Sequence, residues 1–467
     1  MIATTLGAVA DITGGRLHGC SASEADTITV DGPVVTDSRE AARGSLYIAR
    51  VGESADGHQF VPAAAKGGAV AAITTRRVDG LPAVVVEDEQ AAFVALARHL
   101  VDSRPDLTVI GITGSSGKTS TKDLLGSVLD VDGETVAPLG SYNSEVGVPL
   151  TVCRITPATS HLVVEMGARG IGHIEYLTHI APPRIGIVLN VGHAHVGEFG
   201  SLEAVGRAKS ELPAALPRDG VAVLNADDPV VAGMAARTRA HVVLVGECEG
   251  ATVRATDVTL DEAGRATFTV TAPFGTAQVT LGLVGRHHVG NALAVIAAAH
   301  AAGMDLDPIV TALAAARPLS RWRMEVTRRR DGVTIVNDAY NANPDSMSAA
   351  LRSVAGMATQ GRRWAVLGAM LELGDDAPVL HAQVGTEVAQ LGFDELLVVG
   401  RDAQPLADGA RGVAGEGPRV RTVPDADAAE DLLDEELSRD DVVLFKSSRD
   451  AGLRWLGDRI VQREARA

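Results

Sequence analysis

Lysine is nearly missing from this 467-residue sequence: only Lys66, Lys118, Lys122, Lys209 and Lys446 occur, against 37 arginines. A base-composition bias that converts surface lysine to arginine accounts for the asymmetry. The lysines that survive it are enriched where a planar guanidinium cannot replace a compact ammonium. Lys118, Lys209 and Lys446 therefore draw attention, while Lys66 and Lys122 read as surface residues. Cysteine is also scarce. Cys20, Cys153 and Cys248 are widely spaced and odd in number, which excludes a disulfide framework and a CxxC zinc site and points to a reducing compartment, the cytoplasm. Aromatic residues make up only 3% of the chain, so the cores are aliphatic. No apolar run approaches the ~20 residues of a membrane span; the richest, Ala292 to Met304, is interrupted by His300. The opening MIATTLGAVADITGG has neither the basic start nor the long apolar core of a signal peptide. Membrane insertion and export are not expected. Positive charge is short as well, with 42 basic residues against 59 acidic ones and a net charge of −17, which argues against a nucleic-acid partner.

The remaining composition, 46% hydrophobic and 22% charged, is that of a globular protein, and its length fits about three domains. Residues 1 to about 105 alternate short β-rich pieces, such as Ser45 to Ala49 and Ala83 to Val86, with a helical stretch from Gln90 to Val101. A linker with Pro105 follows at Ser103 to Asp106. Next come the apolar strands LTVIGIT, HLVVEM, RIGIVLNV and GVAVLN separated by helical segments, the signature of a parallel sheet covered on both faces. Residues 251 to 284 alternate as TFTVTA and AQVTLGLV, a small antiparallel subsheet before a helix from about Val289 to Ala302. After Pro318, the strands VTIVND, WAVLGA, ELLVVG and DVVLFK each precede a helical segment and form a Rossmann-like domain. The expected fold class is α/β.

The strongest local signal is GSSGKT, Gly114 to Thr119, directly between a strand and a helix. Glycines let backbone N–H groups curl around phosphate oxygens, lysine reaches the β/γ-phosphates, and threonine ligates Mg²⁺. Glu165 ends the strand HLVVEM, and His193 and His195 follow the strand RIGIVLNV. Ligands of an open parallel sheet bind beyond the carboxyl ends of its strands, so these groups should converge on the phosphate loop. A carboxylate and an imidazole there suit divalent ions bridging nucleotide phosphates. The plainer alternatives are a helix-capping role for Glu165 and turn positions for the histidines. A zinc hydrolase is disfavoured, since no HExxH occurs.

These segments, together with AKSEL, VLNADDP, GRHHVGN, DAYNANPDSMSAAL and LGAMLELG, occur in an order that resembles the Mur ligases, ATP-dependent amide-forming enzymes of bacterial cell-wall synthesis. The likeness is greatest to the member that joins D-alanyl-D-alanine to UDP-N-acetylmuramoyl-tripeptide. The resemblance implies three domains: a small α/β UDP-substrate-binding domain (1–105), a central P-loop parallel-sheet ATP-binding domain with the antiparallel subsheet (106–316), and a C-terminal Rossmann-like domain (317–467). It also implies that Gly114, Ser115, Ser116, Gly117, Lys118, Thr119, Ser120, Asn291, Arg323 and Asp338 bind ATP. Thr119, Glu165, His195 and Lys209 would hold Mg²⁺, two ions in all, with Lys209 carbamylated. Lys118, Lys209 and His195 would be the catalytic set. Asp37, Ser38, Arg39, Asn143, Ser144 and Asn341 would contact the UDP-muramoyl substrate.

Three positions depart from the family pattern: His288 and Ser144 where asparagine is usual, and Ser447 where glycine is usual. The implied reaction passes through an acyl phosphate. Domain closure is expected, because ATP contacts come from both the central and the C-terminal domain. A monomer without nucleic-acid partners is expected. The rivals are the diaminopimelate-adding ligase, folylpolyglutamate synthetase and a P-loop nucleotide switch.

Overall fold

The computed structural model describes residues 1–52, 55–192 and 199–463. His193 and His195 lie outside the described residues. Three main sheets follow one another along the chain. The first has five strands, in the order Arg16–His18, Ala83–Val85, Ala69–Thr74, Ser45–Ile48 and Val34–Val35, with only the first pair antiparallel. The helix Glu89–Asp102 packs beside it. Asp88 starts that helix by accepting the Gln90 and Ala91 amides, and Ala92, Phe93, Leu96, Ala97 and Leu100 form its buried stripe. The linker that follows is pinned. Arg104 pairs with Asp106 and donates to the carbonyls of Thr156 and Thr159.

The second sheet has nine strands. Thr135–Val136, His161–Glu165, Thr108–Thr113, Ile185–Val188, Val221–Asn225, His241–Gly246 and Val253–Leu260 run parallel. Their inner members are buried along nearly their whole length, as strands covered on both faces must be. The alternating strands Arg265–Ala272 and Gly275–Val284 add antiparallel to the same edge, so the antiparallel piece extends the parallel sheet and is not a separate layer. The helix His288–Ala301 lies against this sheet. Its run of Ala, Leu, Val and Ile is buried on nearly every side, which explains its lack of a polar face.

The third sheet carries the four expected strands, in the order Thr334–Asn337, Val442–Lys446, Arg363–Leu367 and Glu395–Val399, all parallel. Two edge strands were not apparent from sequence: Glu325–Arg328, antiparallel, and Arg419–Val423, parallel. No helix among the described residues is long and apolar enough to cross a membrane.

Candidate active site

In the central sheet the strand Thr108–Thr113 lies between His161–Glu165 and Ile185–Val188. The chain leaves Thr113 toward one side of it and returns after Glu165 to the other, which makes the carboxyl ends of these strands a topological switch point. In register, Glu165 lies beside Ile112 and Val188 beside Thr113. The loop 114–117 therefore emerges with Glu165 on one flank and Asn190 on the other. Gly117 has φ +80, and a Cβ there would come within 2.9 Å of Asn291 Oδ1. Only glycine fits both demands.

The loop opens the helix Lys118–Leu129, whose first amides have no acceptor within the helix. The amides of Ser115 and Ser116 are held otherwise, donating to the Asn190 carbonyl and to Asn190 Oδ1 (3.1 and 2.9 Å). Ser115 Oγ also exchanges hydrogen bonds with Gly192. Lys118 folds back, its ammonium donating to the Gly114 carbonyl (2.7 Å). Burial lowers its pKa and Arg323 adds to the effect, against the opposing pull of Glu165. Ser120 lies one residue further and lines the adjoining cleft.

Thr119 and Glu165 meet in the interior: the Thr119 hydroxyl donates to Glu165 Oε2 (2.9 Å), and Asn143 Nδ2 donates to Oε1 (2.8 Å). Glu165 is 1% exposed. It therefore faces the loop threonine and does not cap a helix. Lys209 ends the helix Leu202–Lys209 and is buried. Burial pushes its pKa well below that of an ordinary amine, and the nearby Lys118 charge pushes the same way. Among the described residues no three His, Cys, Asp or Glu side chains cluster as a ready metal cage.

Groups from beyond residue 316 reach the same place. Arg323 Nη2 donates to the Thr119 hydroxyl and to Ser141 Oγ (3.3 and 3.2 Å), and its guanidinium lies 4.3 Å from the Tyr340 ring centre. Trp322 and Met324, on either side, both have positive φ, a backbone conformation that turns the Arg323 side chain inward. Asp338 accepts the Met324 amide and the Lys446 ammonium. Lys446 also holds the Asn341 carbonyl (3.1 Å), so it ties down the 338–341 loop. A narrow cleft opens beside the loop, lined by Ser120, Leu283, His288, Pro318 and Arg323 among others. His288 stands 3.3 Å from Asn291 Nδ2, Nδ1 to amide. Ser447 is fully buried and packs on Gly368, where an added Cβ would approach Ser447 Cβ to 2.9 Å.

The substrate-side positions are more dispersed. Asp37 caps the short 3₁₀ turn Ser38–Glu40 and pairs with Arg39. Tyr142 is half-exposed. Its pKa is raised by burial and by the neighbouring Glu40, Tyr340 and Asp37. Asn143 is held at Glu165, whereas Ser144 turns its side chain to the amide of Gly147. Lys122 does not lie on the surface: it is 2% exposed, with its ammonium donating to the Pro138 carbonyl. Asn190, which shapes the loop, was missed from sequence. Its only signal was its place near the carboxyl end of the apolar run RIGIVLNV.

A parallel-sheet phosphate loop, with Glu165 beside the loop threonine and an arginine delivered from a second α/β unit, defines an ATP-using enzyme. Residues 112–299 match the Mur ligase middle domain and residues 322–449 the Mur ligase glutamate ligase domain. The chain belongs to the Mur ligase family. It is 45% identical to the UDP-N-acetylmuramoyl-tripeptide--D-alanyl-D-alanine ligase of Mycobacterium bovis, covering 99% of this chain and 98% of that one. The Escherichia coli ligase of the same name is 35% identical over 87% and 88% of the two chains. Among solved structures, MurF from Acinetobacter baumannii superposes with a TM-score of 0.87 at 29% identity over 99% of both chains. MurF from Thermotoga maritima in complex with ADP gives 0.79 at 28%, over 92% of this chain and 97% of that one.

Proposed function

We propose that the protein joins D-alanyl-D-alanine to UDP-N-acetylmuramoyl-tripeptide, with ATP cleaved to ADP and phosphate, as a step in peptidoglycan precursor synthesis. The observation that carries this reading is the match over 99% of the chain to ligases named for that reaction. The terminal carboxylate of the tripeptide attacks the γ-phosphorus and ADP leaves. The amine of D-alanyl-D-alanine then attacks the acyl carbon, phosphate departs, and the amine gives up a proton. Phosphoryl transfer of this kind depends on positioning and charge stabilisation. Lys118 and the first amides of its helix hold the phosphates, Arg323 supplies a second cation, His288 and Ser120 line the adjoining cleft, and Asn291 stands against Gly117 of the loop.

The paired Thr119 hydroxyl and Glu165 carboxylate are hard oxygen donors of the kind Mg²⁺ takes alongside phosphate. Bound there, Mg²⁺ would neutralise charge on the phosphates. His195 joins this set by resemblance. Lys209, buried and held toward its neutral form, is chemically suited to add CO₂, and the resulting carbamate would be an anion beside Lys118 where a second cation is disfavoured.

In this reading residues 1–105 bind the UDP end through Asp37, Ser38 and Arg39. Residues 106–316 bind ATP, residues 317–467 close over it, and Asn143, Ser144 and Asn341 approach the peptide. The enzyme works as a cytoplasmic monomer. Phosphate release assayed with ATP, Mg²⁺, UDP-muramoyl-tripeptide and each candidate amine tests the assignment. Release is expected with D-alanyl-D-alanine; release with glutamate or diaminopimelate alone would refute it.

A further inference from the structure

Lys122 is one of five lysines in the chain, and all three of its ammonium hydrogens face an acceptor. Nζ donates to the Pro138 carbonyl (2.8 Å) and to Ser320 Oγ (3.4 Å), and it pairs with the carboxylate of Asp123. Asp123 in turn accepts the Ser320 amide (3.0 Å). Both side chains are buried. One turn earlier on the same helix face, Thr119 contacts Ser141 and Arg323. Two successive turns of the phosphate-loop helix therefore grip the same two segments, 138–141 and 320–323, at both ends.

We propose that Lys122 and Asp123 are positioning residues for ATP turnover: by clamping Ser320 they set where the strained Trp322–Met324 backbone delivers Arg323 onto the Thr119 hydroxyl. Three acceptors around one compact ammonium also explain why arginine does not stand at position 122. The proposal rests on the ligase reading above.

The test is a double-mutant cycle on kcat/KM for ATP, with Asp123→Ala, Arg323→Ala and the pair, thermal unfolding being followed in parallel. Asp123→Ala is expected to lower kcat/KM for ATP about 10- to 100-fold, the scale of a displaced positioning group. KM for the UDP substrate should stay within about twofold. The double variant should be no worse than Arg323→Ala alone, because one residue acts through the other. Lys122→Arg should behave like Asp123→Ala, since the guanidinium does not fit the three acceptors. Should Asp123→Ala not fold, Asp123→Asn, which keeps an acceptor and loses the charge facing Lys122, takes its place in the cycle. Additive losses, or unchanged kcat/KM for ATP in the position-123 variant, would overturn the role. A wild-type enzyme without ATP-dependent phosphate release would instead overturn the ligase reading.

Discussion

Lys209 is the residue where composition, burial and chemistry meet. It is one of the few lysines in an arginine-rich chain, is 5% exposed, and is held toward its neutral form by burial and by Lys118. A neutral amine is the form that reacts with CO₂, and an arginine there would stay charged. Lys209→Ala is expected to abolish ligation, and added short-chain carboxylates should restore part of it, whereas Lys209→Arg should remain inactive. Failure of every carboxylate to rescue a folded Lys209→Ala would count against the carbamate. Lysine scarcity was thus a usable signal, but it did not sort roles. Lys446 and Lys122 are buried too, each gathering backbone or hydroxyl oxygens and one carboxylate. Composition alone does not distinguish Lys122 from a surface lysine, because its partners Pro138 and Ser320 are distant in sequence.

Among elements, most of the inner parallel strands are legible because apolar runs mark them, and Glu165 lies beside the phosphate-loop threonine where the switch-point rule expects it, while His193 and His195 fall outside the described residues. His241–Gly246, inside the central sheet, is not among the strands read from sequence, and neither are Glu325–Arg328 and Arg419–Val423, which are edges with a polar or arginine residue at alternate positions. Edge strands carry such charge to discourage pairing with other chains, and that same charge hid them. The phosphate loop depends on the left-handed Gly117. An alanine there meets both a strained φ, at roughly 1–2 kcal/mol, and the Asn291 side chain. Gly117→Ala is therefore expected to raise KM for ATP about tenfold or more while KM for D-alanyl-D-alanine changes little, as steady-state kinetics would show.

For the whole molecule, the second and third sheets' units meet through an apolar patch, where Val284 packs on the core that contains Met357, and through hydrogen bonds. Besides Arg323 and Ser320, they include His287 with Ser353 (3.2 Å) and the Ala358 amide with the Glu262 carbonyl. His287 is lowered to about 4 by burial, with Asp338 opposing and Lys446 reinforcing the shift. Its neutral form belongs to the folded state, so the unfolded chain takes up the proton first as pH falls. The contribution of this group to stability is therefore level above about pH 6.5 and is lost between there and about pH 4, by roughly 1–3 kcal/mol. Denaturant titrations across that range should show a smaller loss in His287→Gln.

The net charge of −17 does not conflict with anionic substrates. Over a Debye length of about 8 Å distant carboxylates are screened, while Lys118 and Arg323, in the proposed roles, would act at contact. The central claim is that ATP cleavage passes through the peptide carboxylate on the way to the new amide. The most direct measurement uses UDP-muramoyl-tripeptide labelled with ¹⁸O in its terminal carboxylate, turned over with ATP and D-alanyl-D-alanine, with the released phosphate analysed by mass spectrometry. One ¹⁸O atom in each phosphate, alongside an equal amount of UDP-N-acetylmuramoyl-pentapeptide, is the predicted result. Unlabelled phosphate, the outcome for a nucleotide switch or a simple hydrolase, would contradict it.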